Sequence, residues 1–167
     1  MKENKQNLNV WLMMGLPGSG KSTYIKNHLH DVIIVSQDEI RKIFYGNQFF
    51  PNAEFYVHGD AKNISRLMLS QGKSIVIDAT SILNKYRKEW KSIAKEYGAN
   101  YTIIFIDTPK EICLKRNKKR PKSKQVPDSV IENMDFQMQR PLKLESANGN
   151  QQWWDHGEEV NVIHIEK

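Results

Sequence analysis

Between Leu8 and Ser22 the chain runs from an apolar segment straight into Gly15-Leu16-Pro17-Gly18-Ser19-Gly20-Lys21-Ser22, and few folds can use such a run. The three glycines remove the side chains that would block a tight curve with its backbone N–H groups facing inward. A helix opening at Lys21 would add the positive end of its dipole to that curve. The spacing GxxxxGK[ST] then sets a lysine and a hydroxyl just past the last glycine, where the phosphates of a nucleotide and a magnesium ion require them. Gly15, Pro17, Gly18, Ser19, Gly20, Lys21, Ser22 and Thr23 are therefore the expected nucleotide-binding residues. Lys21 should reach the β- and γ-phosphates of ATP or GTP, and Ser22 should ligate Mg2+. A glycine turn without a ligand would not need the Lys-Ser pair.

The rest of the chain alternates short Val-, Ile- and Phe-rich runs with amphipathic stretches of helical length, the pattern of a parallel sheet covered by helices. The expected architecture is a three-layer α/β/α fold with a five-stranded, mainly parallel sheet. Its strands are read at Leu8 to Met14, Val32 to Val35, Ser74 to Ile77, Tyr101 to Ile106 and Val160 to Ile165. Helices are expected from Lys21 to Leu29, and from Ile40 to Tyr45 with Ile40, Ile43 and Phe44 inward. A third follows the turn-like Phe50-Pro51-Asn52, and a fourth runs from Asn84 to Tyr97. Another begins near Pro109 and is interrupted at Pro121. The last starts around Pro127 or Asp128, where Ser129 and Glu132 form a plausible capping box. Glu145 to Gln152 reads as loop. Met1 to Asn7 is expected to be flexible, and residues 8–167 to form one domain.

With 39% hydrophobic and 26% charged residues the chain is of ordinary globular composition. No apolar run approaches the roughly 20 residues that cross a bilayer, and no signal-peptide core opens the chain, so a cytoplasmic protein without a membrane partner is expected. Cys113 is the only cysteine and reads as a buried side chain. The five histidines show no metal-ligand spacing. The formal charge of +6 points to an anionic partner, and seven of the ten residues from Lys115 to Lys124 are basic.

Asp38, in Ser36-Gln37-Asp38-Glu39-Ile40-Arg41, stands just past the second strand, at the carboxyl edge of the sheet where open α/β folds bind ligands. A carboxylate there can orient an acceptor hydroxyl and take its proton. The alternative is an N-cap for a helix beginning at Glu39. Arg41, a helical turn on, is placed to hold an acceptor phosphate. Asp78 ends the third strand as a magnesium-side carboxylate does, acting through water or on an arginine such as Arg41. Thr80 and Arg87 follow at the rim, Arg87 being either an acceptor contact or a solvated helix residue. The basic segment, about residues 114–127, reads as a lid whose Arg116 and Arg120, one helical turn apart, would neutralise charge on the transferred group.

These parts in this order resemble the kinase domain of bacteriophage polynucleotide 5′-hydroxyl kinases, within the zeta-toxin-like small P-loop kinases. The resemblance rests on the phosphate loop, Ser36 to Arg41, Val76-Ile77-Asp78-Ala79-Thr80, Trp90 to Gly98, Arg116 to Arg120 and Val126-Pro127. It implies transfer of the γ-phosphoryl of ATP to the 5′-hydroxyl end of DNA or RNA. Lys21, Asp38, Arg116 and Arg120 would be the catalytic set, Asp38 the general base and Arg41 the contact to the acceptor's 3′-phosphate. No phosphatase DxDGT or ligase KxDG motif is present. Two other readings stand beside it: the same core acting on a small molecule or a charged tRNA, and a nucleotide-dependent regulatory module. Trp153 and Trp154 read either as base-stacking groups or as closure of the core against the last strand.

Overall fold

Val10, Leu12 and Met14 alternate with Trp11 and Met13 along β1 (Asn9–Met14), so both sides of this strand are apolar and it has to lie inside a sheet covered on two faces. In the computed structural model, which describes residues 7–46, 51–145 and 150–167, β1 lies between β3 (Ile75–Asp78) and β4 (Asn100–Asp107) and runs parallel to both. β2 (Ile33–Ser36) extends the sheet beyond β3, and β7 (Glu158–Glu166) beyond β4, again in parallel. These are the five expected strands. The sheet continues through β6 (Gln151–Asp155) and β5 (Leu142–Glu145), both antiparallel, to give seven strands in the order β2-β3-β1-β4-β7-β6-β5. This hairpin, part of which reads as loop in the sequence, corrects the five-strand expectation. Trp153 of β6 packs against the core, its ring 5.2 Å from that of His164.

One face of the sheet is covered by five helices, the first being α2 (Gln37–Tyr45) through Ile40. Val10, Leu12, Val35, Ile75 and Ile77 pack beneath α3 (Pro51–Ser70) and α4 (Asn84–Glu96) through Val57, Leu69, Trp90 and Ile93. Met14, Ile103, Phe105 and Val160 lie beneath α5 (Lys110–Lys118) and α6 (Asp128–Gln137) through Cys113 and Ile131. The opposite face, with Met13, Val76, Ile104 and Ile106, is covered by Tyr24 and Ile25 of α1 (Lys21–His28). Among the described residues, no helix is long and apolar enough to cross a membrane.

Several boundaries differ from the sequence expectation for local reasons. α2 (Gln37–Tyr45) starts three residues early because the Ser36 hydroxyl caps it, accepting from the Glu39 N–H at 3.3 Å. Only Ile40 of its expected inner residues is buried; Ile43 and Phe44 are 69% and 62% exposed. α3 begins at Pro51, where a turn is expected, and proline suits the first helical position. Phe49, Phe50 and most of the N-terminal segment expected to be flexible, Met1–Gln6, lie outside the described residues. α5 stops at Lys118, so Arg120 sits in the turn before Pro121 and not on a helix with Arg116. α6 follows Pro127 with no side-chain cap, and the Ser129–Glu132 box does not form.

Candidate nucleotide and acceptor site

The carboxyl ends of β1 to β4 gather at one edge of the sheet, and the chemistry-bearing residues lie there. The glycine loop after β1 is held from several directions. The Gly15 N–H donates to the Thr80 carbonyl at 3.0 Å, and the Thr108 hydroxyl donates to the Ser19 carbonyl at 2.9 Å. Arg116 Nη1 donates to the same Ser19 oxygen at 3.2 Å. Gly18, at φ +86°, leaves no room for a side chain: a Cβ there would stand 2.7 Å from the Cys113 carbonyl of α5. Gly20, at φ +107°, brings the chain into α1 with no side chain capping the helix. The first-turn N–H groups of α1 therefore carry no side-chain partner, as an incoming phosphate requires.

Below this opening, Ser22 Oγ donates to Asp78 Oδ2 at 2.9 Å. A hydroxyl and a carboxylate side by side, next to a phosphate loop, are the oxygen donors with which a magnesium ion is held while water and phosphate complete its shell. The residues fit that ion. Burial raises the Asp78 carboxyl above its ordinary range, against the pull of Lys21 and the Ser22 hydrogen bond.

Lys21 is half-buried overall, but its ammonium is folded onto the Gly15 and Leu16 carbonyls at 2.9 Å each. That burial pushes Lys21 down to about 8, opposed by Asp78 and Asp38 and assisted by Arg120. The unfolded chain binds this proton more tightly, so the free protein should gain stability from Lys21 as pH rises from about 8 towards 10.5. Phosphate must restore the charge. Titration with ATP and magnesium at pH 8.5, in two buffers of different ionisation enthalpy, is expected to show net proton uptake that Lys21→Met abolishes. Equal heats in both buffers would contradict it.

At the end of β2, Ser36 rather than Asp38 caps α2, which leaves the Asp38 carboxylate exposed. Arg41 Nη1 donates to Asp38 Oδ1 at 2.6 Å. The other side of its guanidinium is gripped by Glu54 of α3, with Nε to Oε1 at 2.6 Å and Nη2 to Oε2 at 2.8 Å. These bonds hold Arg41 firmly charged. Two of its five N–H groups remain without a partner among the described residues. Glu54 escapes a reading of the sequence, because nothing there marks a partner thirteen residues away across a helix–helix contact. Asp38 and Arg120 both act electrostatically on Lys21 and on Asp78, which draws these groups towards the end of the phosphate loop.

The basic segment is a clamped loop. Asn117, 2% exposed, donates to the Val126 carbonyl at 2.6 Å and accepts from the Val126 N–H at 3.1 Å. Gln125 donates to the Arg120 carbonyl at 2.7 Å. The backbone of Arg120 is thus fixed while its side chain stays exposed above the loop. Asn117 escapes notice in the sequence because the seven basic residues around it dominate the segment.

Arg87 needs correction. It is 1% exposed and neither lines the rim nor faces solvent. Its donors go to Asp155 at 2.7 and 2.9 Å, to the Ser81 and Ile82 carbonyls at 2.9 and 3.1 Å, and to the Gln139 carbonyl at 2.7 Å. The sequence carries a signal for this, since Arg87 shares the buried stripe of Trp90 and Ala94. Thr80 adjoins the phosphate loop through its carbonyl.

The sequence model described as an AAA domain matches residues 10–141. The chain belongs to that AAA domain family. An L-seryl-tRNA(Sec) kinase from Methanococcus maripaludis is 31% identical over 130 residues, covering 74% of this chain and 49% of its own. A putative bifunctional polynucleotide phosphatase/kinase of Acanthamoeba polyphaga mimivirus is 30% identical over 117 residues, covering 65% and 23%. Among solved structures, one of the Pnkp1/Rnl/Hen1 RNA repair complex superposes with a TM-score of 0.70 at 25% identity, over 82% of this chain and 46% of that one. The AAA domain chain therefore spans half or less of each of these relatives. Its fold is that of the P-loop kinases, with the antiparallel pair β5 and β6 added beyond the parallel five.

Proposed function

We propose that this chain is an ATP-dependent kinase that transfers the γ-phosphoryl group to a hydroxyl carried by a polynucleotide, the 5′-hydroxyl end of DNA or RNA. The observation that carries this reading is the Asp38–Arg41 couple, presented by a helix that Ser36 caps, with Asp38 acting electrostatically on Lys21 and Asp78. A nucleotide switch has no use for such a couple. The likeness to the RNA repair complex supports the polynucleotide acceptor.

In this mechanism Lys21 and the open N–H groups of α1 hold the β- and γ-phosphates. Ser22, with Asp78 through water, would hold magnesium, which supplies charge neutralisation along the phosphate chain. Arg41 grips the acceptor phosphate and so brings the hydroxyl to Asp38. The hydroxyl oxygen forms the new bond to the γ-phosphorus as the bond to the β-phosphate oxygen breaks. The proton passes to Asp38, and ADP leaves. Arg116, already bonded to the loop, and Arg120 meet the charge that spreads over the transferred group.

A second reading is favoured by the identity to the Methanococcus enzyme, namely that the hydroxyl belongs to a seryl group on tRNA. Labelled ATP offered with 5′-hydroxyl oligonucleotides and, separately, with seryl-tRNA distinguishes the two. Label on the oligonucleotide is expected, with turnover by Arg120→Ala lower by about 10²-fold. Label on seryl-tRNA alone would overturn the polynucleotide assignment, and unchanged turnover by Arg120→Ala would overturn the role of that arginine.

A further inference from the structure

The start of α4 carries a second basic surface, distinct from the basic segment around Arg120. Lys85 and Lys88 are exposed on the first turns of α4, and neither is ion-paired among the described residues. Lys91, one turn further on, is taken by Glu158 at 2.7 Å. Lys85 and Lys88 border an open, shallow cleft of about 390 Å³ that Leu83, Asn84, Gln139 and His156 also line. That volume lies within the roughly 300–1,000 Å³ of ordinary ligand sites. No carboxylate lines the cleft; the neighbouring Asp155 is neutralised by Arg87, and Glu158, which Lys91 binds, also feels Lys88.

The surface is joined to the acceptor helix by a run of contacts. Gln37, adjacent to Asp38, hydrogen-bonds His58 at 3.0 Å. The His58 ring meets that of Tyr86 at 5.0 Å, and Lys85 Nζ sits 4.7 Å from the centre of the Tyr86 ring. His58 is anchored on its other side by Glu89 at 3.0 Å, which Lys62 also binds at 2.9 Å. From Asp38 outward the path is thus polar, then aromatic, then basic. This order suits a strand whose end is phosphorylated and whose following phosphates need countercharge.

We infer that the Lys85–Lys88 face of α4, with the cleft it borders, holds the phosphodiester backbone of a single-stranded polynucleotide beyond its 5′ end. The inference rests on the polynucleotide reading of the acceptor and extends it. Lysines used in this way are point charges that position a strand without reading its sequence. A minimal acceptor, a nucleoside 3′-monophosphate, would fill the Asp38–Arg41 couple and leave this face empty.

The test compares wild type with Lys85→Glu/Lys88→Glu, using a 5′-hydroxyl decanucleotide and a nucleoside 3′-monophosphate. The KM for the decanucleotide should rise about tenfold or more at low salt, and its salt slope should fall by roughly 0.7 for each phosphate that the two lysines neutralise. The kcat/KM for the monophosphate should not change. Equal KM values for the decanucleotide, or a matching loss on both acceptors, would overturn the inference. If wild type phosphorylates neither acceptor, the polynucleotide reading itself has failed. Fluorescence anisotropy of a labelled oligonucleotide then decides the surface alone: weaker binding by the double variant upholds it, and equal binding overturns it.

Discussion

Asp38→Asn is expected to lower kcat for 5′-hydroxyl phosphorylation by about 10²- to 10⁴-fold, the usual worth of a positioned general base. KM for ATP should stay near the wild-type value. The amide keeps the size of the carboxylate and can still accept from Arg41 Nη1, now 2.6 Å from Asp38 Oδ1. What it loses is the capacity to take the hydroxyl proton. Stability should scarcely change, because Asp38 is 91% exposed on its side chain and Arg41, itself largely buried, keeps both bonds to Glu54. Pairs one helical turn apart contribute a few tenths of a kcal/mol. The helix keeps its start, since the cap is Ser36. A residue with only a helix-dipole role would show the opposite profile, a small stability loss with turnover intact. Single-turnover kinetics with labelled ATP, together with thermal unfolding of the same samples, separates the two. Unchanged kcat would remove Asp38 from the chemistry.

The parts of this site that are legible in the sequence are those where one residue's surroundings are local. The phosphate loop is a run of eight neighbours whose geometry follows from glycine, a strand and a helix start. Asp38 and Asp78 can be placed because each follows directly from an apolar strand, and strand ends mark the ligand edge of a parallel sheet. What stays hidden depends on partners far along the chain. Glu54 meets Arg41 because α2 and α3 pack side by side. Asn117 meets Val126 across the basic segment. The hairpin is hidden for another reason. β5 is exposed along its whole length and β6 is only partly buried, so neither carries the strong alternation that marks a half-buried strand. In α2 the periodicity is helical, as expected, yet Ile43 and Phe44 face outward because only one narrow side of the helix meets the core. The expected lid geometry fails at Pro121, whose restriction on the preceding residues ends α5 before Arg120.

Arg87→Ala should destabilise the protein by about 3–5 kcal/mol, because it strands a buried charge. Asp155, 11% exposed on its side chain, would keep only Asn84 as a hydrogen-bond donor, at 3.1 Å. The carbonyls of Ser81, Ile82 and Gln139 would each lose a donor in the same step. Those carbonyls belong to the segments before α4 and after α6, and Asp155 belongs to β6. One guanidinium therefore ties the C-terminal hairpin to the body of the fold. For a chain of this size the loss corresponds to a fall in Tm of roughly 6–20 °C. Replacing both partners by apolar residues of similar shape, Arg87→Met with Asp155→Leu, should recover the part due to the stranded carboxylate, but not the part due to the three carbonyls, which still lack the donor. Below the melting temperature the single variant should retain kcat within a few-fold of wild type, because Arg87 has no donor left to offer a substrate. A variant that melts normally but phosphorylates poorly would reverse the assignment and return Arg87 to the acceptor site. That pairing of Tm with kcat tests whether this arginine belongs to the scaffold or to the chemistry.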